Sequence, residues 1–380
     1  MIPTPTTQSG FYSDAPRLYM AMELSRANWK IAFTTGKGGK VRKRELPSWA
    51  LEQLLEELAQ AKRRLGLPAD APTFSCYESG REAFSIHRLL TQAGIDNIVI
   101  DAASIEVNRK ARRAKTDNLD LEGLIERLVR HHDGQKVWSV VRVPSVEEED
   151  ARRPTREIQR LKKERTQHRN RIRGLLLTQG ITLASFQRQT RDLDALRTRD
   201  DQPLPPSLRR ELEREIARLE LIEQQIKELN AQMAQSVEAA ATPALRQAKT
   251  LTLLRGVGAD SATLLATEFF GWRDFKNRRE VGAAAGLVGS PYSSGDSERE
   301  QGISKAGNTR VRARMIELAW LWLRFQPRSK QARWFQEKFG HGKGRVRRIG
   351  IVALARRLLI DFWRLAEHGV VPEGAQIAVA

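Results

Sequence analysis

Residues 17–46, RLYMAMELSRANWKIAFTTGKGGKVRKREL, decide the fold. They hold three short β-leaning segments, RLYMAMEL, WKIAFTT and KVRKREL, broken by SRAN and by the glycine-bearing GKGG. Breaks this close predict consecutive hairpins, an antiparallel meander. Outward from it, a helical pattern starts at Ser48 and runs to Leu65, with Leu51, Leu54, Leu55, Leu58, Ala61 and Leu65 on one stripe. The turn GLPADAP ends it. Then follow a strand, TFSCYES, a helix from Arg81 to Ala93, a strand, NIVIDA, and a helix from Thr116 to His131. Strand alternating with helix after a meander predicts an α/β layer with a mixed sheet.

The 65 Lys and Arg outweigh the 46 Asp and Glu by 19, and the sequence pI is near 10.5. A chain this basic expects a polyanion, nucleic acid or an anionic membrane surface. No apolar run approaches the roughly 18 to 20 residues of a membrane span, which favours nucleic acid. The opening residues 1–16, MIPTPTTQSGFYSDAP, have no apolar core of a secretory signal and read as a flexible tail, so the chain is expected in the cytoplasm. A single cysteine, Cys76, excludes an internal disulfide and a Cys-rich zinc site. The six histidines lack metal-ligand spacing, and no GxxxxGK[ST] loop is present.

Four acids stand out. Glu23 interrupts the apolar segment LYMAMELS, and Glu78 ends TFSCYES, so each is a charge at a buried strand, expensive unless paired or metal-bound. Asp117 and Asp120, in RKARRAKTDNLDLEGL (109–124), share one face of a helix. Solvated helices carry such pairs routinely; with two strands delivering acid to the same place, the set has the composition of a divalent-metal phosphodiester site.

From Arg152 to Arg173 ten Lys and Arg stand against two Glu, and a helix there is basic over much of its circumference. Arg165, Arg169 and Arg173 are its candidate nucleic-acid contacts. After the break DDQPLPPS, with Ser207 as candidate N-cap, the positions Leu208, Leu212, Ile216, Leu219, Ile222, Ile226, Leu229, Met233 and Val237 form a coiled-coil stripe. It packs either on the preceding helix or on a second copy. Gly256-Val257-Gly258 reads as a phosphate-approaching turn between helices or as a plain turn. A Ser/Gly-rich loop follows, with Ser293 and Ser294, and Lys305, Arg310, Arg312 and Arg314 gather cations near it, as attack on a phosphodiester requires. The tail adds a basic patch, KFGHGKGRVRRIG (338–350), and a helix from Ile349 to Ala366; Trp320, Trp322, Trp334 and Trp363 read as core. The domains expected are 17–145, 146–245 and 246–380.

YES, KTDNLD, RTQHRNRIRGLLLTQGI, LRGVGADSATLLATEF, GLVGSPYSSG and GISKAGNTRVR, in this order, resemble the DEDD-type insertion-sequence transposases of the IS-one-ten family, nearest its IS-eleven-eleven branch. The resemblance implies an RNase H-like (RuvC-like) N-terminal α/β domain, a helical coiled-coil segment and a mostly α C-terminal domain. It implies a recombinase that excises and inserts its own element, guided by a structured noncoding bridge RNA pairing with target and donor DNA, and acting as a dimer or tetramer. The family's metal acids fall on Glu23, Glu78, Asp117 and Asp120, which would hold Mg²⁺, and its nucleophilic serine on Ser294, with Ser293 next. The first acid is more usually Asp there. A junction-cutting nuclease that uses water, and a non-catalytic nucleic-acid scaffold, are the competing readings.

Overall fold

The computed structural model describes residues 15–105, 117–190, 192–294 and 297–377. The expected tail therefore lies outside the described residues up to position 14. Two compact units divide the chain, residues 1–144 and 145–380.

The first unit opens with the meander, β1 (Leu18–Leu24), β2 (Asn28–Thr34) and β3 (Arg42–Pro47). Then come α1 (Leu51–Arg64), β4 (Thr73–Glu78), α2 (Ala83–Gln92), β5 (Asp96–Ile100), α3 (Asp117–His132) and the two-residue β6 (Val140–Val141). The sheet order is β3-β2-β1-β4-β5-β6; β4 runs parallel to β1 and to β5, and every other pairing is antiparallel. This is the mixed sheet that the meander and the later alternation predict.

Side-chain alternation sorts the strands' residues between two cores. Leu18, Met20 and Met22 of β1 meet Leu54 and Leu58 of α1 and Ile86 and Leu90 of α2 on one face. Tyr19 and Ala21, with Cys76 and Ile100, meet Leu121, Leu124, Ile125 and Leu128 of α3 on the other. Each fully buried Leu, Ile or Met side chain here stabilises the layer by about 1.5–3 kcal/mol.

The second unit begins at Ser145, whose hydroxyl accepts from Glu148 N while the Glu148 carboxylate accepts from Ser145 N, capping the short α4 (Val146–Asp150). Next are α5 (Arg153–Leu177), α6 (Phe186–Gln189) and the long α7 (Pro206–Ala239). Ser207 is not the N-cap of α7: Pro205 is, and Pro206 starts the helix with φ already set by its ring. The α7 stripe packs within the chain, Leu212, Leu219, Ile222 and Ile226 closing on Ile172, Leu176 and Leu161 of α5. The stripe is thus covered within the chain.

The rest of the unit is α8 (Pro243–Thr252), α9 (Ala259–Leu265) running into a π-turn at Ala266–Phe270, α10 (Arg278–Ala284), the hairpin of β7 (Gly289–Ser294) and β8 (Ser297–Ile303), α11 (Thr309–Phe325), α12 (Lys330–Phe339) and α13 (Gly344–His368). One apolar core joins α8, α9, α11, α12 and α13. Two expectations change here. The Ser/Gly-rich segment is an antiparallel hairpin rather than a loop, with Ser293 opposite Glu298 and Ser294 opposite Ser297. Trp322 and Trp363 are core, but Trp320 is 42% exposed. No helix among the described residues is long and apolar enough to cross a membrane.

Candidate functional site

In the first unit, the alternation that turns Tyr19 and Ala21 toward α3 puts Glu23 on the same sheet face, and that of Cys76 does so for Glu78. The parallel register pairs Met22 with Tyr77, so the next step sets Glu23 beside Glu78 at the carboxyl ends of adjacent strands. Neighbouring strands lie about 4.8 Å apart. Glu23 Oε2 is fully buried, while Glu78 is exposed. Burial, and secondarily the Glu78 charge, pushes the Cys76 thiol well up, so this buried cysteine stays a neutral, unreactive core residue.

Asp117 is the first residue of α3 and its side chain lies outside the described residues, as does the basic run at 109–116. Asp120, one turn on, is exposed. Acids at a helix start also suit the positive end of the helix dipole, a purely structural reason for this pair. Carboxylate oxygens at neighbouring strand ends are the donors a hard cation such as Mg²⁺ takes. Among the described residues, however, no group of three or more His, Cys, Asp or Glu stands close enough to hold a metal ion. The sheet register sets two of the four acids, Glu23 and Glu78, at adjacent strand ends.

In the second unit, Ser293 and Ser294 end β7 at the hairpin tip, and their side chains lie outside the described residues. Lys305 follows the hairpin's base, where Gly289 pairs with Ile303. Five residues at about 3.3 Å each separate tip from base by roughly 17 Å, so the cations expected beside Ser294 are not next to it. The three arginines are engaged elsewhere. Arg312 donates through Nη1 to the carbonyls of Ala285 and Lys305 and through Nη2 to Thr309 Oγ1. Arg310 Nε donates to Gln159 Oε1 on α5, and Arg314 reaches Asp260 at 3.1 Å. This junction is tight: Gly286 has φ +67°, and a Cβ there would meet Ala306 O at 2.2 Å. Asn308 caps α11, accepting from Arg310 N and Val311 N.

Much of the charge on α5 is likewise satisfied by protein acids. Arg156 clasps the buried Glu268 of the π-turn through Nε at 2.6 Å and Nη2 at 3.0 Å, and this hydrogen bonding holds its guanidinium above its ordinary range. Lys162 pairs with Asp260, and Arg169 with Glu223. His168, Arg171 and Arg218 converge on Glu215, which is 3% exposed. Burial works to raise the Glu215 carboxyl, but its hydrogen bonds from His168 and Arg171 prevail and hold it below its ordinary value. Arg165 has no ion pair among the described residues, and Arg173 lies 5.2 Å over the Phe186 ring, facing solvent. The charge imbalance that seemed to call for phosphate is thus met in large part from within. None of these acids is near α5 in sequence, which is why local reading missed them.

Gly256 has a packing reason of its own: φ is +94°, and a Cβ would stand 3.0 Å from Phe325 Cβ. Gly258 is the N-cap of α9 with open space beside it, but the first turn of α9 carries Asp260, which already supplies negative charge to that helix end.

Residues 248–333 match the family described as "Transposase IS116/IS110/IS902 family". The chain is 38% identical over 387 residues to a putative transposase, y4rJ, of Sinorhizobium fredii, covering 98% of this chain and 97% of that protein. It is 28% identical over 214 residues to the transposase for insertion sequence element IS1328 of Yersinia enterocolitica, covering 56% and 61%. The protein belongs to the IS116/IS110/IS902 family of insertion-sequence transposases.

Proposed function

We propose that this transposase recombines DNA by cleaving and rejoining strands through a phosphoserine on Ser294, with its acids holding Mg²⁺ and a bridge RNA selecting the DNA. The observation that carries the reading is the register of β1 on β4, which sets Glu23 and Glu78 side by side facing α3. The order β3-β2-β1-β4-β5, with the meander antiparallel and β4 and β5 parallel, supports the RNase H-like assignment. Glu23, Glu78, Asp117 and Asp120 would hold the cation, which when bound supplies positive charge to the phosphate under attack.

Ser294 Oγ loses its proton and bonds to phosphorus as the bond to the leaving strand's oxygen breaks and that oxygen takes up a proton. Attack of a new strand's hydroxyl on the serine ester reverses the step, so bond energy is conserved without a nucleotide cofactor. The acids belong to the first unit and the serine to the second. Cleavage and rejoining on two duplexes requires more than one active site, hence a dimer or tetramer, assembled through surfaces other than the α7 stripe. A soluble cytoplasmic protein fits this role.

The test is cleavage of element-end DNA in Mg²⁺ by Glu23→Ala, Glu78→Ala and Asp120→Ala, with binding measured in parallel. Each should lose cleavage and keep affinity, because removing a negative charge does not weaken phosphate attraction. An Asp120→Ala protein that cleaves like wild type would sink the metal assignment.

A further inference from the structure

The start of α13 breaks a rule that most helices obey. Cations favour the C-terminal end of a helix and are disfavoured at its N-terminal end, where the dipole is positive. Here the first turns of a 25-residue helix carry Lys343, Arg345, Arg347 and Arg348, with no acid in the first turn and no side-chain cap. All four are exposed. None has an ion-pair partner among the described residues, unlike Arg156, Lys162, Arg169 and Arg171 in the same unit.

The packing shows why the patch stands clear. α13 is first pinned at Gly350, where a Cβ would meet Phe339 Cγ at 2.5 Å and Phe335 Cε2 at 2.9 Å. The residues before it, including Val346 and Ile349 at 51% and 53% exposure, extend beyond that crossing. Arg347 lies 5.5 Å over the ring of Trp320, the exposed tryptophan of α11. A guanidinium stacked on indole is held in place at low entropic cost and keeps its N–H donors available. Four cations without ion-pair partners among the described residues, at the positive end of a helix dipole, are unfavourable for the folded chain alone, the mark of a functional surface.

We propose that Lys343, Arg345, Arg347 and Arg348, ordered by Trp320, form a contact surface for the phosphodiester backbone of bound nucleic acid, separate from α5 and from the serine hairpin. This rests on the transposase reading for the presence of nucleic acid, though not on its chemistry. Charge complementarity selects the partner, and backbone contact carries no sequence preference.

The experiment measures binding of full-length protein to a labelled DNA duplex and to a labelled RNA hairpin across a salt series. Wild type is compared with the quadruple Ala variant of these four residues and with a control that removes four exposed cations of the first unit, Lys37, Lys40, Arg63 and Arg64. Circular dichroism confirms the fold, and Arg347→Lys with Trp320→Phe provides a milder pair. The quadruple variant should lose affinity, and its log–log salt slope should shrink by up to about 0.9 per lost contact on duplex DNA, with the control falling much less. Loss on one probe alone identifies DNA or RNA as the partner at this surface. If wild type binds and the quadruple variant keeps its slope, or falls only as far as the control, the surface assignment is wrong while the transposase reading stands. If wild type binds neither probe, both fall.

Discussion

Glu268 is the acid whose removal the second unit should feel most. It is 3% exposed, sits in the π-turn at Ala266–Phe270, and takes both donors of Arg156. It also supplies the charge that partly offsets the burial of Arg152, a guanidinium 3% exposed and stacked 4.1 Å over Trp272. Breaking a buried pair by removing one partner costs about 3–5 kcal/mol. Arg156 is 38% exposed and recovers water, which places Glu268→Ala near the lower end, about 3 kcal/mol. At roughly 2–4 °C per kcal/mol in a unit of this size, the melting temperature should fall by about 6–12 °C. Thermal unfolding followed by circular dichroism measures the shift and urea unfolding the free energy, and Glu268→Gln, which keeps one acceptor for Arg156, should lose less. A Glu268→Ala protein within about 0.5 kcal/mol of wild type would mean that the Arg156 clasp contributes no net stability.

Ile226→Asp places a charge in the closed seam of α5 and α7, where Ile226 is 7% exposed; it should destabilise by about 3 kcal/mol or more without changing the mass read by light scattering. Arg165→Ala should reduce the salt slope of nucleic-acid binding by up to about 0.9, whereas Arg169→Ala, which loses Glu223, should cost about 0.5–1 kcal/mol of stability; the reverse pattern would exchange their roles. Because the folded Glu215 carboxyl titrates below its ordinary value, its stabilisation is present above the unfolded carboxylate range and is lost as pH falls through the lower folded value. A pH series of melts should therefore show Glu215→Gln less acid-sensitive than wild type, and parallel curves would discount the His168–Arg171–Glu215 cluster.

The first unit was legible because its signals are local. Alternating apolar residues in LYMAMEL and TFSCYE, and the leucine stripe of α1, fix both element type and inward face before any tertiary contact forms. The serine segment was not legible as a hairpin because GSPYSS and SEREQGI carry no apolar alternation, and their pairing is set by backbone register alone. The stripe of α7 announced a partner without naming it, since the matching residues Leu161, Ile172 and Leu176 are sparse among the cations of α5. Those cations read as a nucleic-acid face because their acids, Asp260 and Glu268, lie about a hundred residues away. Trp320 followed its neighbour Trp322 into the expected core, although consecutive even positions on α11 face different surroundings. Of the acids, Glu23 and Glu78 were placed by strand pattern, whereas the helix spacing of Asp117 and Asp120 says nothing of its distance from them.

The serine separates transesterification from hydrolysis most directly. Wild-type protein with element-end DNA carrying a labelled strand, and with the proposed bridge RNA, should give a denaturant-resistant protein–DNA band in Mg²⁺ that Ser294→Ala abolishes, with nucleic-acid binding unchanged and Ser293→Ala milder. A band that survives Ser294→Ala would move the nucleophile elsewhere, with Ser293 the next to test; strand cleavage by wild type with no band under any trapping condition would contradict the phosphoserine and leave water as the attacking group.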